Sequence, residues 1–151
     1  MSYLETPTRY ITVNNQKIAY RELGEGNSDI PLVMLVHLAA TMDDWDPKLL
    51  DLLAERQHVI VMDLPGVGSS EGSVATTIPG MAHQAAEIIQ ALGYQKVNLL
   101  GLSMGGMIAQ EVVRAYPALI NRLVLVGTGP RGGAGIDAVT GTTFGYMARA
   151  A

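Results

Sequence analysis

Several residue types are scarce in this chain, and their scarcity excludes whole classes of protein. No cysteine occurs among the 151 residues, so a disulfide scaffold, a thiolate metal site and a cysteine nucleophile are excluded. Charged residues make up only 16%, and 10 basic against 14 acidic residues give a net charge of −4. Because no basic excess is present to neutralise phosphates, a nucleic-acid partner is not expected.

The chain also lacks a long apolar run and a secretion signal. Its longest apolar stretch, at 31–36, is far shorter than the ~20 residues needed to cross a bilayer. The first residues do not place an apolar segment after a basic one, as a signal peptide does. We therefore expect a cytoplasmic protein without a membrane partner, and its length is that of one domain.

The chain does contain short apolar runs that alternate with amphipathic segments. Two mixed runs joined by Asn14 and Asn15 predict a hairpin, and four apolar runs predict buried strands. These six runs are 9–13, 17–23, 31–37, 58–63, 97–102 and 120–126. Apolar residues three and four apart predict helices at 46–54, 78–92 and 104–116. Such alternation predicts the α/β class, with a mostly parallel sheet and helices on both faces.

The composition changes after residue 126. Glycines cluster there, at Gly127, Gly129, Gly132, Gly133 and Gly135. No further strand pattern follows them before residue 151. We therefore divide the chain into a folded part at 1–127 and a glycine-rich loop region at 128–151.

The segment 101–105, Gly-Leu-Ser-Met-Gly, carries the main chemical signal. It follows a predicted strand and opens a predicted helix. A sharp turn between the two strains the central residue and exposes its side chain, and the residues two before and two after it must be small because neighbouring segments press on the turn. This context predicts that Ser103 is a nucleophile. The alternative is a serine that only caps the helix.

The motif and three other segments together resemble the α/β-hydrolase superfamily, in its serine-nucleophile branch. Segment 37–40, His-Leu-Ala-Ala, lies where the family has a His-Gly loop after the third strand. Segment 63–70, Asp-Leu-Pro-Gly-Val-Gly-Ser-Ser, resembles the turn after the fourth strand, and Asp44-Trp45 resembles the start of the first helix. The resemblance extends from about Arg9 to Gly127.

The resemblance implies an acyl-serine mechanism with an oxyanion hole. Its two donors are the backbone N–H groups of Met104 and Ala39, two residues after His37. Leu38 stands where the family usually has glycine. A backbone donor does not depend on its own side chain, so this difference does not remove the predicted oxyanion site.

The rest of a catalytic triad is not recognisable. In this superfamily the acid and then the histidine follow the nucleophile, but all three histidines precede Ser103: His37, His58 and His83. We expect structural or surface roles for them. The carboxylates after Ser103 are Glu111, expected to point away from the site, and Asp137, in the glycine-rich region.

The resemblance implies two further parallel strands, whose following loops carry the acid and the histidine. We therefore interpret the chain as the N-terminal part of a hydrolase core, truncated after about the sixth strand, with 128–151 starting a cap region. Segment 120–126 then keeps an unpaired edge. We expect this edge to bind a second polypeptide, either the missing C-terminal part or another copy of the chain.

Two functions remain open. The first is hydrolysis of esters or related acyl compounds, and the alternative is a receptor that binds small molecules on the same scaffold without turnover. Nucleotide binding is disfavoured because Asp63-Leu-Pro-Gly66 has no accompanying phosphate loop. Neither a metal nor another cofactor is expected, because the histidines lack ligand spacing and no dinucleotide motif follows the first strand.

Overall fold

The computed structural model describes residues 2–133, which contain one six-stranded sheet. The strands are β1 Arg9–Val13, β2 Gln16–Leu23, β3 Leu32–Leu35, β4 Val59–Met62, β5 Val97–Leu102 and β6 Ile120–Val126. Their order across the sheet is β1-β2-β4-β3-β5-β6. The β1–β2 and β2–β4 pairs are antiparallel, and the other three pairs are parallel. The predicted mostly parallel α/β sheet is confirmed.

The β1–β2 hairpin closes where the two asparagines predict it. Asn14 and Asn15 have φ values of 49° and 62°. A two-residue turn with positive φ at both positions matches the right-handed twist of the flanking strands, and asparagine tolerates this conformation well. The turn pairs Val13 with Gln16.

Within the described residues, three helices connect the strands: α1 Pro47–Ala54, α2 Ile78–Ala91 and α3 Met104–Ala115. The Asp46 side chain accepts hydrogen bonds from the first-turn N–H groups of α1, and the Thr77 hydroxyl accepts one from Gly80 N in α2. These bonds satisfy donors that a helix start otherwise leaves free. Helix α2 ends just before Gly93, whose φ of 92° favours glycine.

The core has two layers, one on each face of the sheet. Helices α2 and α3 pack on one face against alternate strand residues, among them Val33, Ile60 and Leu99. Helix α1 packs on the other face through Leu50, against a second set that includes Met34 and Val61. Helices therefore cover both faces, as predicted.

The strand boundaries and the burial of β5 differ from the prediction. β3 ends at Leu35 rather than at residue 37, because the chain leaves the sheet there to form a loop. β5 is buried only at every second residue, and β6 is exposed from Asn121 onward. The expected full burial of β5 is wrong within residues 2–133, since no described helix packs on the α1 side of this strand. The exposure of β6 agrees with the unpaired edge and uncovered face expected for segment 120–126, because no described strand pairs beyond it.

Candidate active site

Ser103 lies at the turn between β5 and α3, at the carboxyl end of the parallel strands. Its φ of 54° and ψ of −116° are strained for a residue with a side chain. The surrounding backbone holds this conformation. Ser103 N donates to Val126 O at 3.0 Å, and the Thr128 hydroxyl donates to Ser103 O at 2.7 Å. The turn is therefore tied to the end of β6.

The Ser103 hydroxyl does not cap α3. It makes no hydrogen bond to the first-turn N–H groups, in contrast to Asp46 and Thr77 at the starts of α1 and α2. The N-cap side chain, which usually accepts a hydrogen bond from the first N–H groups of a helix, therefore does not do so in α3. The alternative role of Ser103 as an ordinary helix cap does not agree with this geometry.

The two glycines of the motif are required by close contacts of the turn. A Cβ added at Gly105 lies 2.1 Å from Leu35 O, at the end of β3. One added at Gly101 lies 2.3 Å from Gly105 O. Both distances are far below van der Waals contact, so the start of α3 lies against the end of β3 in a way that excludes any side chain.

The loop after β3 places Ala39 near the start of α3. Ala39 has a φ of 58° and is exposed. His37 is also exposed, and its ring Nδ1 lies 2.9 Å from the neighbouring Leu38 O. Ala39 and Met104, the two predicted oxyanion donors, line the same cavity. The structure therefore brings both residues to one side of the serine turn.

Asp63 fixes this loop, a role that sequence reasoning did not assign. Its buried carboxylate accepts hydrogen bonds from Met42 N at 2.8 Å and from Ser69 N at 3.0 Å. A Cβ at Gly68 would lie 2.2 Å from Asp63 Oδ2, which explains the second glycine of the 63–70 turn. The aspartate that begins the 63–70 segment is the signal from which this role could have been predicted. Asp63 joins the loops that follow β3 and β4.

A cavity of about 340 Å³ opens between these two loops and the helices α2 and α3. Its lining is mainly apolar and includes Val36, Leu64, Val67, Met81, Met104 and Ile108. Polar side chains come from His37, Thr41 and Gln84. Ser103 itself does not line the cavity, whereas the next residue, Met104, does. The space suits a small, mostly apolar group beside the serine turn.

The histidines do not form a nucleophile–base pair with Ser103 among residues 2–133. His58 precedes β4, at the opposite end of the parallel strands, and its Nε2 lies 3.5 Å from Glu22 Oε1. His83 lies on α2, where its ring bonds to the Tyr116 hydroxyl. The predicted structural or surface positions of these two histidines agree with the geometry.

The carboxylates that follow the serine supply no catalytic acid within the described part of the chain. Glu111 forms a two-point ion pair with Arg114 on α3. Hydrogen bonds from the Arg114 guanidinium lower the pKa of Glu111 from its usual value. Asp137 lies outside the described residues.

The described residues contain neither a metal-ligand cluster nor a membrane-spanning helix. Between residues 2 and 133, no three His, Cys, Asp or Glu side chains are grouped so that they could hold a metal ion. In the same range, none of the helices has the length and apolar character needed to span a bilayer.

Comparisons with known proteins place this geometry in a family. Residues 31–143 match the family described as alpha/beta hydrolase fold. The chain is 34% identical over 114 residues to (E)-2-((N-methylformamido)methylene)succinate hydrolase of Acinetobacter baylyi, covering 75% of this chain and 42% of the relative. It is 34% identical over 99 residues to the poly(3-hydroxyalkanoate) depolymerase of Ectopseudomonas oleovorans, covering 65% and 35%.

Solved structures show the same likeness. An alpha/beta hydrolase fold protein from Chitinophaga pinensis superposes with a TM-score of 0.83 at 38% identity, covering 86% of this chain and 47% of that one. The chain thus spans less than half the length of each of these three relatives. The match over most of its residues and the shared architecture lead to one conclusion: the chain belongs to the alpha/beta hydrolase fold family.

Proposed function

We propose that the chain is the N-terminal part of a serine hydrolase acting on esters or related acyl compounds, with Ser103 as nucleophile. The observation that carries this proposal is the strained Ser103 backbone at the start of α3, with a hydroxyl that makes no capping bond. Strained residues of this kind are concentrated at functional sites. The hydrolases among the relatives support the general reaction class.

In the proposed reaction, Ser103 Oγ attacks the acyl carbonyl carbon and its proton passes to a histidine base. The alcohol then leaves with that proton, and water hydrolyses the acyl-serine to the acid. The developing oxyanion is stabilised by the backbone N–H groups of Met104 and Ala39. The free N-terminus of α3 adds positive potential at the same place.

The base and the orienting acid come, in this proposal, from a second polypeptide segment that pairs with β6. Two observations support it: β6 pairs only with β5 among the described strands, and Leu123–Val126 are all exposed apolar residues. The relatives are more than twice as long as the matched region. The proposed partner is the C-terminal half of a hydrolase of this family.

Covalent labelling of Ser103 tests the proposal. The chain is treated with a fluorophosphonate, alone and after co-expression with the C-terminal half of the Chitinophaga pinensis relative, and analysed by intact mass and peptide mapping. We expect one label on Ser103 in the complemented sample and none, or far slower labelling, in the chain alone, because the serine then has no base.

Two variants make the labelling specific. Ser103→Ala is expected to abolish the label, whereas Ser73→Ala, an exposed serine in the loop before α2, leaves it unchanged. Labelling that persists in Ser103→Ala contradicts the assignment of the nucleophile. Absence of labelling in a complemented sample that is folded and associated contradicts the hydrolase mechanism.

A receptor without turnover is the second candidate function. It is favoured by the absence of a histidine bonded to Ser103 among residues 2–133, together with an apolar cavity beside the serine turn. Thermal stabilisation by small acyl compounds that the complemented protein never hydrolyses supports this function. Hydrolysis of the same compounds excludes it.

A further inference from the structure

The N-terminal segment packs against the loop that follows β3. Tyr3 is almost wholly buried, with 2% of its surface exposed. Its hydroxyl donates a hydrogen bond to Met42 O in the loop, and its backbone N–H donates to Asp51 Oδ1 on α1 at 2.6 Å. The guanidinium of Arg21, on β2, lies over the tyrosine ring, 5.2 Å from the ring centroid. Tyr3 is therefore fixed to a helix and a strand, and its hydroxyl is bonded to the loop.

Met42 is the residue through which this loop is fixed. Its N–H donates to the buried Asp63 carboxylate at 2.8 Å, its carbonyl accepts from Tyr3, and its side chain is buried. Among residues 2–133, segment 37–44 makes one other hydrogen bond to a different element, which Asp43 accepts at 2.6 Å from the same arginine of β2. Tyr3 therefore supplies one of the three hydrogen bonds that connect the loop to the rest of the fold.

Ala39 depends on such connections because its backbone is strained. Its φ of 58° lies in the left-handed region, which is unfavourable for a residue with a side chain. Strained residues persist only where the surrounding structure fixes them. Ala39 is itself exposed, so the constraint comes from its flanks: β3 ends at Leu35, and Ala40 and Met42 are buried. Of these flanking groups, the Met42 peptide carries the hydrogen bonds to other elements.

We propose that Tyr3 is a positioning residue for the oxyanion site. By bonding to the Met42 carbonyl, its hydroxyl keeps the loop in the conformation that gives Ala39 its left-handed backbone, and this fixes the direction of the Ala39 N–H. The effect on catalysis rests on the proposed function, whereas the effect on the conformation of Ala39 does not. Burial raises the pKa of Tyr3 above its usual value, so the hydroxyl keeps its proton and remains a donor at neutral pH.

The conformation of Ala39 in the 151-residue chain is the first test. The ¹³C shift of an alanine methyl group depends on its backbone angles, so alanine labelling reports the left-handed state by NMR. Loss of one signal in Ala39→Gly identifies the resonance. Tyr3→Phe keeps the buried ring and removes only the hydroxyl. We expect the Ala39 signal of this variant to shift or broaden, because the strained backbone is then less constrained.

Tyr94→Phe is the matched control for the loss of a tyrosine hydroxyl. The Tyr94 hydroxyl also donates a hydrogen bond, to Glu22 Oε1, but at the opposite end of the parallel strands. We expect the Ala39 signal of Tyr94→Phe to be that of the wild type. An unchanged Ala39 signal in Tyr3→Phe, or the same change in both variants, overturns the proposal.

Kinetics of the complemented protein test the effect on the reaction. The probe is p-nitrophenyl butyrate, and active enzyme is counted by titration with the fluorophosphonate, so that a loss of folded protein does not lower kcat. We expect Tyr3→Phe to lower kcat about tenfold and to leave KM within about twofold, because a displaced oxyanion donor stabilises the transition state less while the apolar cavity still binds the ester. Tyr94→Phe should leave both constants unchanged.

A glycine at position 39 tests the physical reason. Glycine adopts a positive φ without strain, so the loop then depends less on its anchor. We expect Tyr3→Phe to lower kcat only about two- to threefold in the Ala39→Gly background, which is a coupling between the two positions. Equal losses in both backgrounds, or a rise in KM with kcat unchanged, overturn the role of Tyr3.

The outcome is separable from that of the proposed function. A complemented protein that neither hydrolyses the ester nor is labelled at Ser103 removes the hydrolase, while a changed Ala39 signal in Tyr3→Phe keeps Tyr3 as the residue that positions the loop. Hydrolysis that Tyr3→Phe leaves unchanged keeps the hydrolase and removes the role of Tyr3.

Discussion

At the scale of single residues, the geometry of the serine turn depends on backbone contacts and on a neighbouring glycine that has no side chain. Ser103 keeps a strained φ because β6 and Thr128 hold its backbone on one side and α3 begins directly on the other. Gly105 permits that geometry, since its missing Cβ leaves room for the carbonyl of Leu35. The reactive position is therefore maintained by contacts that do not touch the hydroxyl.

Replacing Gly105 by alanine measures this constraint. The new Cβ would lie 2.1 Å from the backbone oxygen of Leu35, so the start of α3 or the end of β3 has to move. We expect Gly105→Ala to lower the free energy of unfolding by about 1–3 kcal/mol in chemical denaturation, the usual cost of overpacking.

Gly80→Ala is the matched control, because it also lies in the first turn of a helix. Its added Cβ meets only the side-chain atoms of Ala75 and Thr77, at 3.1 Å. Alanine is favoured over glycine in helices, so we expect a change within about 1 kcal/mol of the wild type. Equal stability of the two variants contradicts the close contact between α3 and β3.

At the scale of elements, the sequence predicts most of the fold because each element carries its own local signal. The hairpin, the strands and helix α2 follow from local signals: the paired asparagines, the apolar runs and the spacing of apolar residues. Their positions were therefore predicted to within a few residues. The partial exposure of β5 was not predicted, since the burial of a strand depends on what packs over it. Of the site, the Ser103 turn was predictable from its motif, whereas the hydrogen bonds of Asp63 arise from tertiary contacts.

Glu22 connects three elements at the amino-terminal end of the parallel strands. This residue near the end of β2 forms an ion pair with Arg9 of β1, and it accepts a hydrogen bond from the Tyr94 hydroxyl, which precedes β5, at 3.2 Å. Burial and the Glu22 carboxylate raise the pKa of Tyr94 to about 12. The folded chain therefore retains the Tyr94 proton at a pH where the unfolded chain releases it.

This shift predicts a loss of stability at alkaline pH. Between the ordinary tyrosine pKa of 10.0 and about 12, the unfolded chain binds fewer protons than the folded chain, so the free energy of unfolding falls as the pH rises. We expect Tyr94→Phe to show a shallower fall than the wild type in urea titrations across this range. Tyr10→Phe, an exposed tyrosine on β1, serves as control. An unchanged slope in Tyr94→Phe contradicts the raised pKa of Tyr94.

At the scale of the whole molecule, the two edges of the sheet differ in chemistry. The β1 edge carries Arg9, which pairs with Glu22 and Glu25, and charged groups discourage pairing between edges. The β6 edge presents four consecutive exposed apolar residues, Leu123, Val124, Leu125 and Val126. A parallel strand with both faces and one edge exposed is a surface that another polypeptide buries.

We expect the 151-residue chain alone to self-associate through β6. Light scattering at increasing concentration should give masses above the 16.1 kDa of one chain. Val124→Lys places a charge in the middle of this edge and should reduce the associated fraction, whereas Thr12→Lys on β1 should leave it unchanged. Co-expression with the C-terminal half of a relative should replace self-association by a one-to-one complex, because both partners compete for the same edge. A monodisperse monomer of the wild-type chain contradicts the assignment of β6 as a binding edge.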